Sequence, residues 1–127
     1  MNKYVLDSSA WVEYFGGTPR GAKIRPFIEE ETIATSIIAI AELADKCERE
    51  GRPFENYLRF IQHRCEILPL TIGISVEAAK LKNQIRKNST KFGLIDGIHL
   101  ATSSDASAIF ITTDMDFKDA KDVLLIS

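Results

Sequence analysis

Four acidic side chains are the residues of this 127-residue chain whose types and positions could do chemistry together. They are Asp7, Glu42, Asp96 and Asp114. Asp7 directly follows the apolar run Tyr4-Val5-Leu6, and Asp114 comes just after the run Ile109-Phe110-Ile111. Short apolar runs like these predict buried strands, so both acids are expected where a strand ends.

The other two acids stand in apolar helical surroundings. Glu42 follows Ile38 and Ala39 by about one turn, and its predicted helix has almost no polar side before Asp45. Asp96 lies in the first turn of a later helix whose neighbouring residues are mostly apolar. A carboxylate in such a setting needs a partner that compensates its charge.

A divalent cation would compensate all four. Two like charges 4 Å apart repel by about 4 kcal/mol at an effective dielectric near 20. Carboxylate oxygens select hard ions, so Mg²⁺ or Mn²⁺ is expected rather than Zn²⁺, and the chain has only two histidines, His63 and His99. Such an ion activates water and neutralises charge on a phosphate, so the pattern predicts metal-dependent phosphodiester chemistry.

Each acid also has a purely structural interpretation, which the sequence alone leaves open. Asp7 could satisfy the amides of the helix that follows it, and Glu42 could pair with Lys46 at the i,i+4 spacing. Asp96 could complement its helix dipole, and Asp114 could be a turn residue or helix cap. These interpretations are weaker jointly than singly, because four acids would then have gathered near one sheet edge by accident.

Other chemistries find no support in the sequence. No Gly-rich phosphate loop follows the first strand, and Ser9 stands where a haloacid-dehalogenase phosphatase needs a second Asp. The run Glu66–Leu70 offers no phosphorylatable Asp of the kind a receiver domain carries. His99 is interpreted as a buried or edge histidine rather than a base, and Cys47 and Cys65 as packing residues.

Short apolar runs alternate with longer helical patterns along the whole chain. The predicted strands are Tyr4–Leu6, Thr32–Thr35, Glu66–Leu70, Ala108–Thr112 and Val123–Ile126. The predicted helices are Ser9–Phe15, Pro19–Glu31, Ile37–Glu50, Pro53–Arg64, Ser75–Lys87 and Leu94–Ser104. This alternation predicts an α/β fold with a parallel sheet covered on both faces, in which ligands bind at the carboxyl ends of the strands.

Length and composition predict one domain over residues 1–127, with 45% hydrophobic residues to fill its core. The longest apolar stretch, Ile33–Ala44, is too short for a membrane span and contains Glu42. The start of the chain has no long apolar signal region, so the expected location is the cytoplasm. A net charge of −2 weakly opposes nucleic-acid binding, so a local basic patch or bound cations would have to offset it.

A basic group precedes Asp96 in the sequence and is a candidate track for RNA. Its members are Lys80, Lys82, Arg86, Lys87 and Lys91, of which the last four are the tentative RNA-binding residues. A second group contains Arg20, Lys23 and Arg25. A solvated helix face explains the first group equally well.

Four segments, in this order, resemble the PIN-domain family and specifically the VapC toxins of prokaryotic toxin–antitoxin pairs. They are Tyr4-Val5-Leu6-Asp7-Ser8-Ser9, Ala39-Ile40-Ala41-Glu42-Leu43, Leu94-Ile95-Asp96-Gly97-Ile98-His99-Leu100-Ala101 and Ile111-Thr112-Thr113-Asp114-Met115-Asp116-Phe117. Each motif alone is a weak signal, but four in order are a strong one. The likeness covers nearly the whole chain, in length and in element order.

The resemblance implies a three-layer α/β/α fold, Mg²⁺- or Mn²⁺-dependent endoribonuclease activity, homodimers and inhibition by a cognate VapB-type antitoxin. By motif position it makes Asp7, Asp96 and Asp114 metal ligands, with Glu42 a ligand directly or through water. Thr112 and Ser8 would support the site, and Asp116 matches an acid whose role varies. The run Ser103-Ser104-Asp105 departs from the family pattern and leaves the end of that helix open.

Two further features bear on partners and on alternative functions. The predicted hairpin Ile37–Arg64 has surplus aromatic residues, including Phe54, Tyr57 and Phe60, which are candidates for dimer or antitoxin contact or for ordinary packing. A non-catalytic PIN-like module that binds RNA or a partner is the alternative to an enzyme, disfavoured because no motif acid is missing. A housekeeping RNA-processing nuclease of the same fold is the third hypothesis.

Overall fold

The computed structural model describes all of residues 1–127 and contains one five-stranded sheet. The strands are β1 (Tyr4–Leu6), β2 (Ile33–Ser36), β3 (Glu66–Leu68), β4 (Ile109–Thr112) and β5 (Val123–Leu125). Their order is β3-β2-β1-β4-β5, and every neighbouring pair is parallel. β1 is therefore central, and the residues that follow β1, β2 and β4 meet at one edge of the sheet.

Six helices connect the strands, as a parallel sheet requires. They are α1 (Ser8–Gly16), α2 (Pro19–Glu30), α3 (Ile37–Arg49), α4 (Glu55–Arg64), α5 (Ile72–Ile85) and α6 (Leu94–Asp105). A single 3₁₀ turn, Met115–Phe117, follows β4. The α/β class and the parallel sheet predicted from the sequence are confirmed. No helix has the length and apolar character that a bilayer crossing requires.

The sheet has a hydrophobic core on each face, which explains why its strands are apolar runs. Leu6 points into a core that contains Trp11, Ile28 and Ile61 from α1, α2 and α4. Its neighbour Val5 points to the other face. There it joins Phe92, Leu100, Phe110 and Phe117. Because successive side chains alternate, three residues of β1 anchor both layers of helices.

Helices α5 and α6 pack closely because a glycine allows it. A Cβ atom at Gly97 would lie 2.5 Å from the carbonyl oxygen of Ala78, so any side chain there would require the backbone to shift. Further along both helices, Ile85 lines the same cavity as Ala108, the residue just before β4. The two helices therefore run in the same direction, from the carboxyl edge of the sheet to the amino edge.

Most helix boundaries differ by one to three residues from those predicted, including the start of α4 at Glu55 rather than Pro53, and local geometry explains two of them. Helix α5 begins at Ile72 rather than at Ser75, because the Thr71 hydroxyl accepts the Ile74 N–H at 3.1 Å and caps the helix. Helix α6 continues to Asp105, through the run that departs from the family pattern. It ends where Ser107 adopts a left-handed conformation with φ 52°.

Candidate active site

Asp7 lies at the centre of the carboxyl edge, directly after β1, with 4% of its surface exposed. Its Oδ1 accepts hydrogen bonds from the Ser9 hydroxyl at 2.5 Å and from the Ala10 N–H at 3.1 Å. Its Oδ2 accepts the Thr112 hydroxyl at 2.7 Å. Burial raises the pKa of Asp7 above its ordinary value, although these hydrogen bonds oppose the shift. The helix-capping interpretation is thus partly correct, but it accounts for one oxygen only.

Thr112, the last residue of β4, joins Asp7 to Asp114. Besides donating to Asp7, its hydroxyl oxygen accepts the Asp114 N–H at 3.0 Å. Asp114 in turn caps the 3₁₀ turn, because its Oδ1 accepts the Asp116 N–H at 2.9 Å. Thr112, which was predicted to support the site, therefore links the carboxylate of Asp7 to the backbone N–H of Asp114.

Ser9 is a site residue to which sequence reasoning gave no role. Its hydroxyl donates to Asp7 and accepts the Thr113 N–H at 3.1 Å, so it joins β1 to the segment after β4. The available signal was its position two residues after Asp7. At that spacing a hydroxyl in the first turn of a helix can return to the carboxylate that caps it.

Asp96 occupies the first turn of α6, where its Oδ2 accepts the Gly93 N–H at 2.8 Å. Burial raises the pKa of Asp96, and the negative charges of Asp114 and Asp116 raise it further, whereas the Gly93 hydrogen bond opposes the shift. Asp96, Asp114 and Asp116 therefore share one electrostatic environment. This places the sequence-predicted acid of α6 beside those that follow β4.

Glu42 faces the site from α3, and its partner is not the predicted one. Its Oε1 lies 2.7 Å from His99 Nε2 and accepts the Ser8 hydroxyl at 3.0 Å. Lys46 instead pairs with Glu50 at 2.8 Å, so the i,i+4 interpretation of Glu42 is wrong. Burial raises the pKa of Glu42, but its hydrogen bonds with His99 and Ser8 outweigh burial and hold the pKa below its ordinary value.

The gathered acids lack cationic partners. No Lys or Arg lies within 4.0 Å of Asp7, Asp96, Asp114 or Asp116, although other acids of the chain form such pairs. The side chains do not converge into a ready-made metal-binding group of three. Asp96 Oδ1, Asp114 Oδ2 and Glu42 Oε2 accept no hydrogen bond from the protein. A set of oxygen donors with uncompensated charge fits a hard divalent cation better than zinc.

The basic residues of α5 are not gathered with the acids. Lys82 lies in the last turn of α5, and Arg86 and Lys87 directly follow Ile85, at the amino edge of the sheet. Asp96 lies at the other end of α6, whose twelve residues span about 18 Å. Lys91 belongs to the loop that returns from α5 to α6. In the second group, Arg20 and Arg25 pair with Glu13 and Glu29 of α1 and α2.

A groove of about 330 Å³ opens beside Glu42 instead. Its polar lining consists of Ser8, Ser9, Glu13, Glu42, Lys46, Arg49 and Thr113. Lys46 and Arg49 lie on successive turns of α3, one and two turns beyond Glu42. They are the basic residues that line a cavity with the acidic site, and sequence reasoning had considered Lys46 only as a partner of Glu42.

Comparisons with known proteins agree with this geometry. The family model described as PIN domain matches residues 4–123. No curated protein matches the chain significantly.

Several solved structures share the fold. A toxin–antitoxin complex from Klebsiella pneumoniae is 21% identical with a TM-score of 0.77, and 96% of each chain is covered. VapBC2 from Rickettsia felis, bound to a DNA fragment from its promoter, is 20% identical with a TM-score of 0.75, again with 96% of each chain covered. VapC20 from Mycobacterium tuberculosis, a Sarcin-Ricin loop cleaving toxin, is 15% identical with a TM-score of 0.70 and covers 98% of this chain and 100% of its own.

Proposed function

Because the chain belongs to the PIN-domain family, we propose that it is a metal-dependent endoribonuclease that hydrolyses RNA phosphodiester bonds at the acidic site. One observation carries the proposal. Asp7, Asp96 and Asp114 come from three different elements to one sheet edge, and none of them has a cationic partner. Such an arrangement costs folding free energy, so a functional role best accounts for it.

We assign the metal-binding role to Asp7, Asp96 and Asp114, with Glu42 as a ligand directly or through water. When bound, Mg²⁺ or Mn²⁺ would lower the pKa of an attacking water and neutralise charge on the scissile phosphate. Asp96 and Asp114 each offer a free carboxylate oxygen, and the hydroxyls of Thr112 and Ser9 hold Asp7 in one orientation. Ser8 orients Glu42 in the same manner. Asp116 contributes charge to the site without an assigned contact.

The RNA strand would approach through the groove beside Glu42. Lys46 and Arg49 line its wall and are paired only with exposed acids of their own helix, Glu50 and Asp45. Exposed pairs of this kind contribute about 0–1 kcal/mol, so a phosphate can replace the acid at little cost. This route complements the tentative track over Lys82, Arg86, Lys87 and Lys91, in which Lys91 lies two residues before Gly93, the residue that donates to Asp96.

We further propose that the protein is the toxin of a toxin–antitoxin pair, acts in the cytoplasm as a homodimer, and is inhibited by a VapB-type antitoxin. The toxin–antitoxin complexes that share its fold support this role. A narrow apolar groove between α1, α3 and α4, lined by Phe15, Leu43 and Tyr57 among others, offers an antitoxin a place to dock. A housekeeping nuclease would have no cognate antitoxin, so the presence or absence of one that copurifies separates the two roles.

The decisive experiment compares cleavage of a structured RNA by the wild-type protein with Mg²⁺ or Mn²⁺, the same mixture with a chelator, and an Asp7→Asn variant. We expect cleavage only in the reaction that contains the wild-type protein, Mg²⁺ or Mn²⁺, and no chelator. Equal cleavage by the wild type and the variant would contradict the acidic-site mechanism. RNA binding without cleavage over a panel of structured RNAs would favour the non-catalytic module.

A further inference from the structure

His99 is a buried polar residue at the candidate site to which neither the sequence nor the family match assigns a role. It lies on α6 one turn after Asp96 and is 3% exposed. Its Nε2 is 2.7 Å from Glu42 Oε1, and its Nδ1 is 3.4 Å from Ser36 Oγ. The imidazole therefore connects the helix that carries Asp96 with the helix that carries Glu42.

The hydrogen bonds of Ser36 determine which imidazole nitrogen carries hydrogen. Ser36 caps α3, and its Oγ accepts the N–H groups of Ile38 at 3.0 Å and Ala39 at 3.2 Å. A hydroxyl has two acceptor positions and one hydrogen, so the hydrogen remains to be donated to His99 Nδ1. Nδ1 is then an acceptor, and Nε2 carries the hydrogen that is donated to Glu42.

The ring is also held from the side. Its plane stacks against Phe110 of β4, with ring centroids 6.1 Å apart and an angle of 22° between the planes. Glu42 is itself much more exposed, with 40% of its side chain accessible to solvent. Apart from His99, only the Ser8 hydroxyl donates to it. The orientation of a half-exposed carboxylate thus depends on a fully enclosed imidazole.

We infer that His99 is a positioning residue, which holds Glu42 through an Nε2–H···Oε1 hydrogen bond so that Oε2 faces the metal site. This inference rests on the proposed function, because it gives Glu42 a place among the metal ligands. It adds β2 to the elements that shape the site, through the cap residue Ser36. Partners that orient a metal ligand typically contribute 10- to 100-fold in metal affinity or activity.

Two amide substitutions separate positioning from simple packing. In His99→Gln the side-chain amide nitrogen reaches about as far as Nε2 and can donate to Glu42. In His99→Asn the amide nitrogen stops near the position of Nδ1 and can contact only Ser36. Both variants replace the ring by a smaller polar group, and thermal unfolding reports the packing loss of each, which is larger for Asn by one methylene.

The test measures Mn²⁺ affinity by titration calorimetry on the purified wild type, His99→Gln, His99→Asn and Glu42→Gln proteins, each first checked for folding by thermal unfolding. We expect the Gln variant to stay within a few-fold of wild type. The Asn variant should lose 10- to 100-fold, and approach Glu42→Gln. His63→Gln is the matched control, because His63 is exposed in the last turn of α4, which leads into the amino end of β3.

Wild-type affinity in the folded Asn variant, or an equal loss in the Gln and Asn variants, would overturn the inference. So would an imidazole nitrogen spectrum of the metal-free protein in which His99 carries its hydrogen on Nδ1. The chain has only two histidines, so this spectrum is assignable with the His63 variant. Because Mn²⁺ binding and the imidazole spectrum are read without RNA, a protein that fails to cleave RNA refutes the proposed function and leaves this test intact.

Discussion

At the scale of single residues, Asp7 and Asp96 lower the stability of the folded protein when they ionise, because their buried surroundings disfavour the charged form. Burial raises the pKa of Asp7 and Asp96 in the folded protein. A carboxyl with a raised pKa binds its proton more tightly when folded than when unfolded. Its favourable contribution to the free energy of unfolding is therefore fully present below the unfolded-state pKa near 3.8. That contribution is lost as pH rises through the pKa of the folded state.

Asp96→Asn should consequently stabilise the metal-free protein at neutral pH while abolishing cleavage. The amide removes repulsion by Asp114 and Asp116 and can still accept the Gly93 N–H. Asp96 is only half-buried, so solvent screening limits the gain to on the order of 1 kcal/mol. Thermal unfolding at several pH values is the measurement. The gain should be small near pH 4 and grow toward neutral pH.

Two comparisons make this prediction specific. Glu77→Gln on the exposed face of α5 removes a charge outside the site and should leave stability nearly unchanged. Mg²⁺ should stabilise the wild type more than the variant and so reduce the difference between them. A variant that is less stable than the wild type at neutral pH would contradict the electrostatic account.

The four acids could be predicted from the sequence because their types, spacing and apolar surroundings are visible in it. Their partners could not. Whether Glu42 turns toward Lys46 on its own helix or toward His99 on another depends on how α3 and α6 pack, and that contact spans 57 positions of the chain. The role of Ser9 is only half visible in the sequence, because its bond to Asp7 is local whereas its bond to Thr113 spans 104 positions.

At the scale of elements, the contact between α6 and α5 matters for the site, because α6 carries both Asp96 and His99. The contact is closest at Gly97, between those two residues. The sequence shows a glycine in an apolar helix, which would ordinarily only weaken the helix. The packing explains it, because any side chain there would separate the two helices.

Gly97→Ala should therefore destabilise the protein by about 1–3 kcal/mol and reduce cleavage at temperatures where the fold persists. Its Cβ would lie 2.5 Å from the Ala78 carbonyl oxygen, a clash that outweighs the gain in helix propensity of about 1 kcal/mol. Denaturant unfolding and cleavage rates are the measurements. Gly73→Ala on α5 is the matched control, because the nearest atom to its Cβ is 3.9 Å away and it should be neutral or stabilising. Equal effects of the two substitutions would refute the close-contact explanation.

Element identities could be predicted because hydrophobic periodicity is strong along the chain, whereas boundaries depend on caps. Thr71 extends α5 backward by three residues from the predicted start at Ser75. Periodicity could not show this, because Ile72 at the new start is 86% exposed and belongs to no buried stripe. The direction of α5 relative to α6 is likewise invisible in the sequence, so the basic residues after α5 could not be assigned to an edge of the sheet.

At the scale of the whole molecule, two pairs of basic residues lie in different places: Lys46 and Arg49 line the groove beside Glu42, whereas Arg86 and Lys87 follow the end of α5. Replacing Lys46 and Arg49 by alanine should weaken RNA binding and lower the slope of log affinity against log salt by about 1.4, the value for two single-strand phosphate contacts. Replacing Arg86 and Lys87 should have a smaller effect, because they lie at the far edge. Binding of a labelled RNA to the Asp7→Asn background at several salt concentrations is the measurement. A larger effect of the second pair would favour the track over α5.

Exposed apolar side chains are concentrated at the same edge as the acids. Seven of the ten exposed large hydrophobic side chains lie near the ends of strands or the starts of helices at that edge, namely Ile37, Leu70, Ile72, Val76, Leu94, Ile95 and Met115. Patches of this kind mark protein contacts, which agrees with the proposed homodimer.

Ile72→Glu should therefore shift the protein from dimer to monomer, as measured by light scattering after gel filtration. Ile109→Glu is the comparison, because Ile109 is also exposed but begins β4 at the opposite edge. We expect it to leave the mass unchanged. An unchanged mass for the Ile72 variant would remove this edge as the dimer surface.

The hydroxyl of Thr112, shared by Asp7 and Asp114, has a consequence for how this protein can change. Its one hydrogen is donated to the Asp7 carboxylate and its oxygen accepts the Asp114 backbone N–H, a group that every substitution of Asp114 except proline retains. The coupled side chains are therefore Asp7 and Thr112, whose substitutions should be epistatic rather than additive in a double-mutant cycle. A lineage that loses Asp7 would then be under little selection to keep the Thr112 hydroxyl. Degenerate descendants of such a protein should lose the two side chains together, with the sheet beneath them intact.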